Sequence, residues 1–268
     1  MTPENGRVGI ALDDAERHMM VCNLIDYHGV AQRGLELLPP VVGTSSYAEC
    51  ARYISALKDA VEEKEPLSEL DWARALFLTE IVFGCDVLGA SRHARGNDEH
   101  WLPVLRSLQA KVSTEHRARV LQHNTTFPPP THPSNGQTSP IADNIELDDD
   151  QHTLMQSALT AYTRHPRRGA TILAPLTGQP TYPQWVDYTH YLANAITDHH
   201  PLTELHWTRA LFLTEIGFTS ALLGFPSQFR DADAHFNTAL HTLQDTIRHG
   251  PRYLRFIENA TYPWYPDE

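Results

Sequence analysis

Two segments of the chain carry apolar side chains on nearly every face of a helix. On a wheel of about 100° per residue, Trp72, Leu76, Phe83 and Val87 fall on one stripe, and Leu70, Phe77, Ile81 and Leu88 on another across from it. Ala75 and Leu78 fill much of what remains. A helix apolar all round is expected to be central and buried. The pattern returns 135 positions later with Trp207, Leu211, Phe212, Leu213, Ile216 and Phe218, and 15 of the 24 positions from Leu67 to Ala90 are identical in Leu202 to Phe225 without a gap. The register extends outward through Tyr27/Tyr162, Gly43/Gly178, Tyr53/Tyr188, Leu57/Leu192, Asp98/Asp233, His100/His235 and Gln109/Gln244. Such a register marks a tandem duplication.

Each copy reads as a run of about four helices. The first is expected over Asp13–Tyr27 and Asp149–Arg164, the second over Tyr47–Glu63 and Tyr182–Asp198. The third is the repeated segment, with Ser68 and Thr203 as N-caps, Asp71 completing a capping box, and Gly89 and Gly224 at the ends. The fourth runs from Asp98 to Val112 and from Asp233 to Ile247. Pro- and Gly-punctuated connections are expected over Gly34–Gly43 and Gly169–Gly178. Alternating strand patterns are absent. The expected fold is all-α, an internally duplicated helical repeat packed with pseudo-twofold symmetry. Its units are 1–122 and 148–268, joined over 123–147 by a linker rich in Pro, Ser and Thr. Within it Pro130-x-x-Pro133 reads as plain spacer, and Asp148, Asp149 and Asp150 as the start of a helix.

Composition narrows the partners. The formal net charge of −12 disfavours a direct grip on nucleic acid or on anionic membrane. Sixteen histidines make that charge responsive to acid, since −12 + 16 = +4 with all protonated. Cys22, Cys50 and Cys85 become Ser157, Trp185 and Ser220 in the second copy, so the fold does not depend on a disulfide and a cytoplasmic setting is expected. No apolar run reaches the length of a membrane span. Three lysines stand beside eighteen arginines (21 − 3), a bias of GC-rich bacterial or phage genomes.

Three polar side chains survive in both versions of the apolar helix: Arg74/Arg209, Thr79/Thr214 and Glu80/Glu215. Glu80 lies at the edge of the Trp72 stripe, where a carboxylate must be paired, hydrogen-bonded or protonated. Arg74 lies about 120° round the helix from it, so the partner is expected from Arg33, Arg95, His100 or Arg209. A structural ion pair is one reading; convergence of Glu80 and Glu215 on an acid/base or metal site is another. Glu80-x-x-Phe83 replaces the Glu-x-x-His step of di-metal bundles, which argues against a metal. The second retained set, Asp98-x-His100 and Asp233-x-His235, reads first as helix capping. Arg168 and Arg230, the counterparts of Arg33 and Arg95, complete the weaker candidates. Phosphate-binding, dinucleotide, nucleophile-elbow and Cys-x-x-Cys fingerprints are absent, so no cofactor and no metal are expected. The aromatic tail, with Tyr253, Phe256, Tyr262, Trp264 and Tyr265, is expected to seal an apolar surface.

The pattern Trp-x-Arg-Ala-Leu-Phe-x-Thr-Glu-x-x-Phe, at Trp72–Phe83 and Trp207–Phe218, resembles that of uncharacterised helical proteins from actinobacteria and their phages. The resemblance covers this helix and the next in each copy and implies no activity. The expectation is a non-enzymatic interaction or regulatory protein whose partner is another protein. The rivals are an enzyme using Glu80, Glu215 and nearby histidines, and an acidic mimic of nucleic acid.

Overall fold

A computed structural model describes residues 6–29, 35, 37–88, 98–127, 145–247 and 256. Among them the fold is all-helical, and the only extended pairing is an isolated antiparallel bridge between Val8 and Leu67. The chain divides into two compact units, one ending at Thr126 and the other beginning at Phe127.

The first unit holds α1 (Asp14–Asp26), α2 (Pro39–Val42), α3 (Tyr47–Glu62), α4 (Glu69–Gly84), α5 (Asp98–Val112) and α6 (Glu115–His123). Polar caps start them where the sequence places Ser, Thr or Asp before an apolar run. Asp13 and Glu16 form a full capping box on α1, Ser46 accepts from the Glu49 amide on α3, and Thr114 from the Arg117 amide on α6. α4 is the buried axis: every residue from Trp72 to Gly84 is buried. α1, α3, α5 and α6 pack around it. An N-terminal segment closes one side, because the Trp72 indole donates to the Val8 carbonyl at 2.7 Å while Val8 and Leu67 exchange backbone bonds.

The second unit holds α7 (Asp149–Arg164), α8 (Ala170–Leu176), α9 (Tyr182–Thr197), α10 (Glu204–Thr219) and α11 (Asp233–Ile247). Short 3-10 turns at Pro226–Gln228 and Arg230–Ala232 precede α11. Asp148 caps α7 in a full box with Gln151, so the acidic run does open a helix. α10 is buried from Trp207 to Thr219. Phe256 is buried with its ring 5.0 Å from that of Phe212; the other tail aromatics lie outside the described residues, as does most of the expected linker.

Four details differ from the sequence expectation. α4 and α10 end at Gly84 and Thr219 rather than near Gly89 and Gly224, because Cys85 and Ser220 adopt extended backbone (ψ 101° and 123°) and turns follow. Gly224 works instead by close approach: a Cβ there would lie 2.1 Å from the Ile216 carbonyl oxygen. The capping box at Ser68 does not close through Asp71. Its carboxylate, one methylene shorter than that of Glu, takes the Ser68 and Tyr53 hydroxyls instead. Third, α2 and α8 occupy the Pro- and Gly-rich connections expected to be irregular. Finally, α6 is a helix that the repeat pattern does not announce.

Candidate functional site

The retained polar residues of α4 and α10 are all buried: Arg74, Thr79 and Glu80 in one unit, Arg209, Thr214 and Glu215 in the other. Both threonines return their hydroxyls to their own helix, Thr79 to the Ala75 carbonyl and Thr214 to the Ala210 carbonyl, each at 2.8 Å. This satisfies a hydroxyl in an apolar setting without any outside partner.

Glu80 and Glu215 are wholly buried. Gln109 from α5 donates its amide to Glu80 Oε1 at 2.8 Å, and Gln244 from α11 does the same to Glu215 at 2.8 Å. Both glutamines are themselves buried. A carboxylate removed from water needs such charge-assisted donors. Gln109 and Gln244 were legible as retained positions, yet an amide was not among the partners expected. Of those partners, Arg33 and Arg95 lie outside the described residues, and His100 is exposed with its ring edge against Trp101 at 4.9 Å.

Arg74 is directed to the other side of α4. Its Nε donates to the Val41 carbonyl at 3.2 Å and a terminal nitrogen donates to the Tyr53 hydroxyl at 3.3 Å, with the guanidinium 5.3 Å from the Tyr53 ring centroid. The Tyr53 hydroxyl in turn donates to Asp71. Burial pushes the Tyr53 hydroxyl up, with the Arg74 charge opposing. Gly43 permits the close approach: at φ +72° it sits where a Cβ would meet an Arg74 nitrogen at 2.5 Å. In the second unit Arg209 stands 5.6 Å from the Tyr188 ring centroid. His206 replaces Asp71, 3.2 Å from the Tyr191 hydroxyl. Burial, and then the Arg209 charge, push this imidazole down to about 4. Tyr188 is pushed up to about 12, chiefly by burial.

The weaker candidates do not assemble into a dyad. Asp98 and Asp233 are the first residues of α5 and α11. His235 is exposed and its carboxylate contact is Asp150 of α7, at 3.1 Å. Arg168 donates to the Ala221 carbonyl at 2.7 Å and lies over the Phe225 ring, while Arg230 is exposed. Among the described residues no group of three or more His, Cys, Asp or Glu is placed to hold a metal ion, and no helix is long and apolar enough to cross a membrane. Cys22, Cys50 and Cys85 are free thiols; burial pushes Cys50 up to about 12, the opposite of an activated nucleophile.

No protein family, curated protein or solved structure matches this chain.

Proposed function

We propose that this chain is a non-enzymatic helical interaction or regulatory protein, built from two copies of one packing plan, whose partner is another protein. The observation that carries this is the placement of the polar groups that both copies keep. Each is buried in the heart of its own unit, engaged by an amide, a tyrosine or a backbone carbonyl. Residues kept for chemistry face a substrate cavity; residues kept to fix helix register look like these. Three free thiols, two of them buried, support a reducing compartment.

The enzyme reading makes the opposite demand on the same side chains. Glu80→Gln and Glu215→Gln are expected to lower the unfolding midpoint while leaving partner binding intact in the surviving folded fraction. Partner binding is expected to respond to exposed positions such as Tyr182 and Tyr191, which present large side chains from α9. The measurement is co-elution of a stoichiometric partner from host extract, compared between the wild type and Tyr182→Ser/Tyr191→Ser. Unchanged stability of the glutamine variants, together with loss of a substrate turnover, would replace this reading with the enzymatic one.

A further inference from the structure

The second unit contains a cavity of 330 Å³ where the start of α7, the end of α9 and the start of α10 meet. Its apolar wall is formed by Ile145, Leu147, Ile196, Leu202 and the Trp207 indole. Its polar side is histidine: His152, His199 and His200 line it, with Glu146 beside them. The volume falls within the range of small-molecule sites, and an apolar slot with a few convergent polar groups is their usual make-up.

At the corresponding place in the first unit an arginine bridges two backbone carbonyls. Arg17 stands 135 positions before His152, and its guanidinium donates to the Val61 carbonyl at 2.8 Å and the Leu12 carbonyl at 3.0 Å. Those residues correspond to Ile196 and Leu147, two walls of the cavity. His152 makes only the first of these contacts, from Nε2 to the Ile196 carbonyl at 2.9 Å. A carbonyl accepts and cannot donate, so Nε2 carries the hydrogen. Its ring stacks on His199, 4.7 Å between centroids and 20° between planes. His199 holds a left-handed backbone, φ +53°, as Lys64 does at the matching place, φ +62°. The second unit thus keeps the scaffold, omits the arginine bridge and surrounds the resulting space with imidazoles.

We propose that this cavity is a binding site for a small aromatic carboxylate. The indole and aliphatic wall suit a flat apolar ring. The His152 Nε2–H is already given to the Ile196 carbonyl, so the ring N–H groups of His199 and His200 suit an acceptor, and imidazole can donate where the described lining offers neither lysine nor arginine. Glu146 beside the histidines opposes a doubly charged group, which favours a carboxylate over a phosphate. The site is independent of the retained Arg, Thr and Glu residues, and so goes beyond the role proposed above.

Benzoate is the probe, with benzyl alcohol as the uncharged control, titrated into the full chain and followed by ligand-observed NMR and calorimetry. Saturable one-to-one benzoate binding is expected, with the alcohol at least 10-fold weaker. His152→Arg transplants the bridge of the first unit; it is expected to weaken benzoate at least 10-fold without lowering the melting temperature. His199→Asn keeps a residue tolerant of positive φ on an exposed position, and is expected to weaken benzoate at least 5-fold whether or not the arginine variant folds. Absence of saturable binding, equal affinity for the alcohol, or benzoate affinity indifferent to His199→Asn would each overturn the proposal.

Discussion

Gln109 donates to the buried carboxylate of Glu80 at 2.8 Å, reaching it from the neighbouring helix α5. The bond joins two side chains that are both buried, so its loss takes a charge-assisted donor from a carboxylate that water cannot readily serve. Glu80→Gln removes the charge but keeps an acceptor, and is expected to cost about 1–3 kcal/mol. Gln109→Leu leaves the carboxylate short of a donor and is expected to cost at least as much. Urea unfolding monitored by circular dichroism checks both. An unmoved midpoint in either variant would show that the pair does not hold α5 against α4.

Glu16 on α1 takes the Ser107 hydroxyl at 2.7 Å and the Lys111 ammonium at 2.6 Å, both from α5. At the matching places of the second unit, Gln151 donates to the Thr246 hydroxyl at 3.1 Å. A charged pair and a neutral pair thus serve the same contact between helices. Lys111→Thr alone is expected to lower the melting temperature, because the buried carboxylate loses its cation. Adding Glu16→Gln to that background is expected to recover part of the loss. A double-mutant cycle measures the coupling; if Glu16→Gln has the same effect in both backgrounds, the pair is not coupled.

The depressed imidazole of His206 gives the second unit an acid sensitivity of known sign. Its folded value of about 4 lies below the ordinary 6.5, so the unfolded chain binds the extra proton between them. Stability from this group is therefore full above about pH 6.5, falls on acidification and levels off below about pH 4. Allowing for partial exposure, the loss is about 1–2 kcal/mol. His206→Gln is expected to flatten that part of the profile, read as melting temperature against pH in matched ionic strength. A profile of unchanged slope would remove His206 as its source.

Gly43→Ala meets two obstacles, a left-handed backbone and the Arg74 guanidinium at 2.5 Å from the new methyl. A cost of about 1–2 kcal/mol is expected from the backbone alone. Gly9→Ala is the matched control, since nothing lies within 4 Å of its Cβ. Equal denaturation midpoints for the two variants would contradict the close packing of Arg74.

The helical character of the chain was legible because its signals are local. Period, N-caps and acidic first turns set α3, α5, α7, α9 and α11 to within a residue of their observed bounds. α2 and α8 were hidden because Pro39, Pro40 and Pro175 read as breakers, although proline is at home in a first helical turn, where Pro39 sits. The burial of Glu80 followed from the wheel, but its amide partner did not. A wheel gives direction around one helix and cannot say which side chain of another helix meets it. The cavity was equally beyond reach. It depends on Arg17 and His152 reaching one matching carbonyl with side chains of different length, and neither residue belongs to the retained set.

The tie between Val8 and α4 bears on the order in which the first unit can form. The bridge to Leu67 and the bond to Trp72 enclose α1, α2 and α3 within a single closed loop. Closing so long a loop sacrifices chain entropy that local helices do not, so the contact follows them in time. On a ribosome the constraint is stricter still. Val8 is made before its partners, which come some sixty residues later. The segment around Val8 must therefore wait, its carbonyl served by water, until the buried helix that secures it has been synthesised.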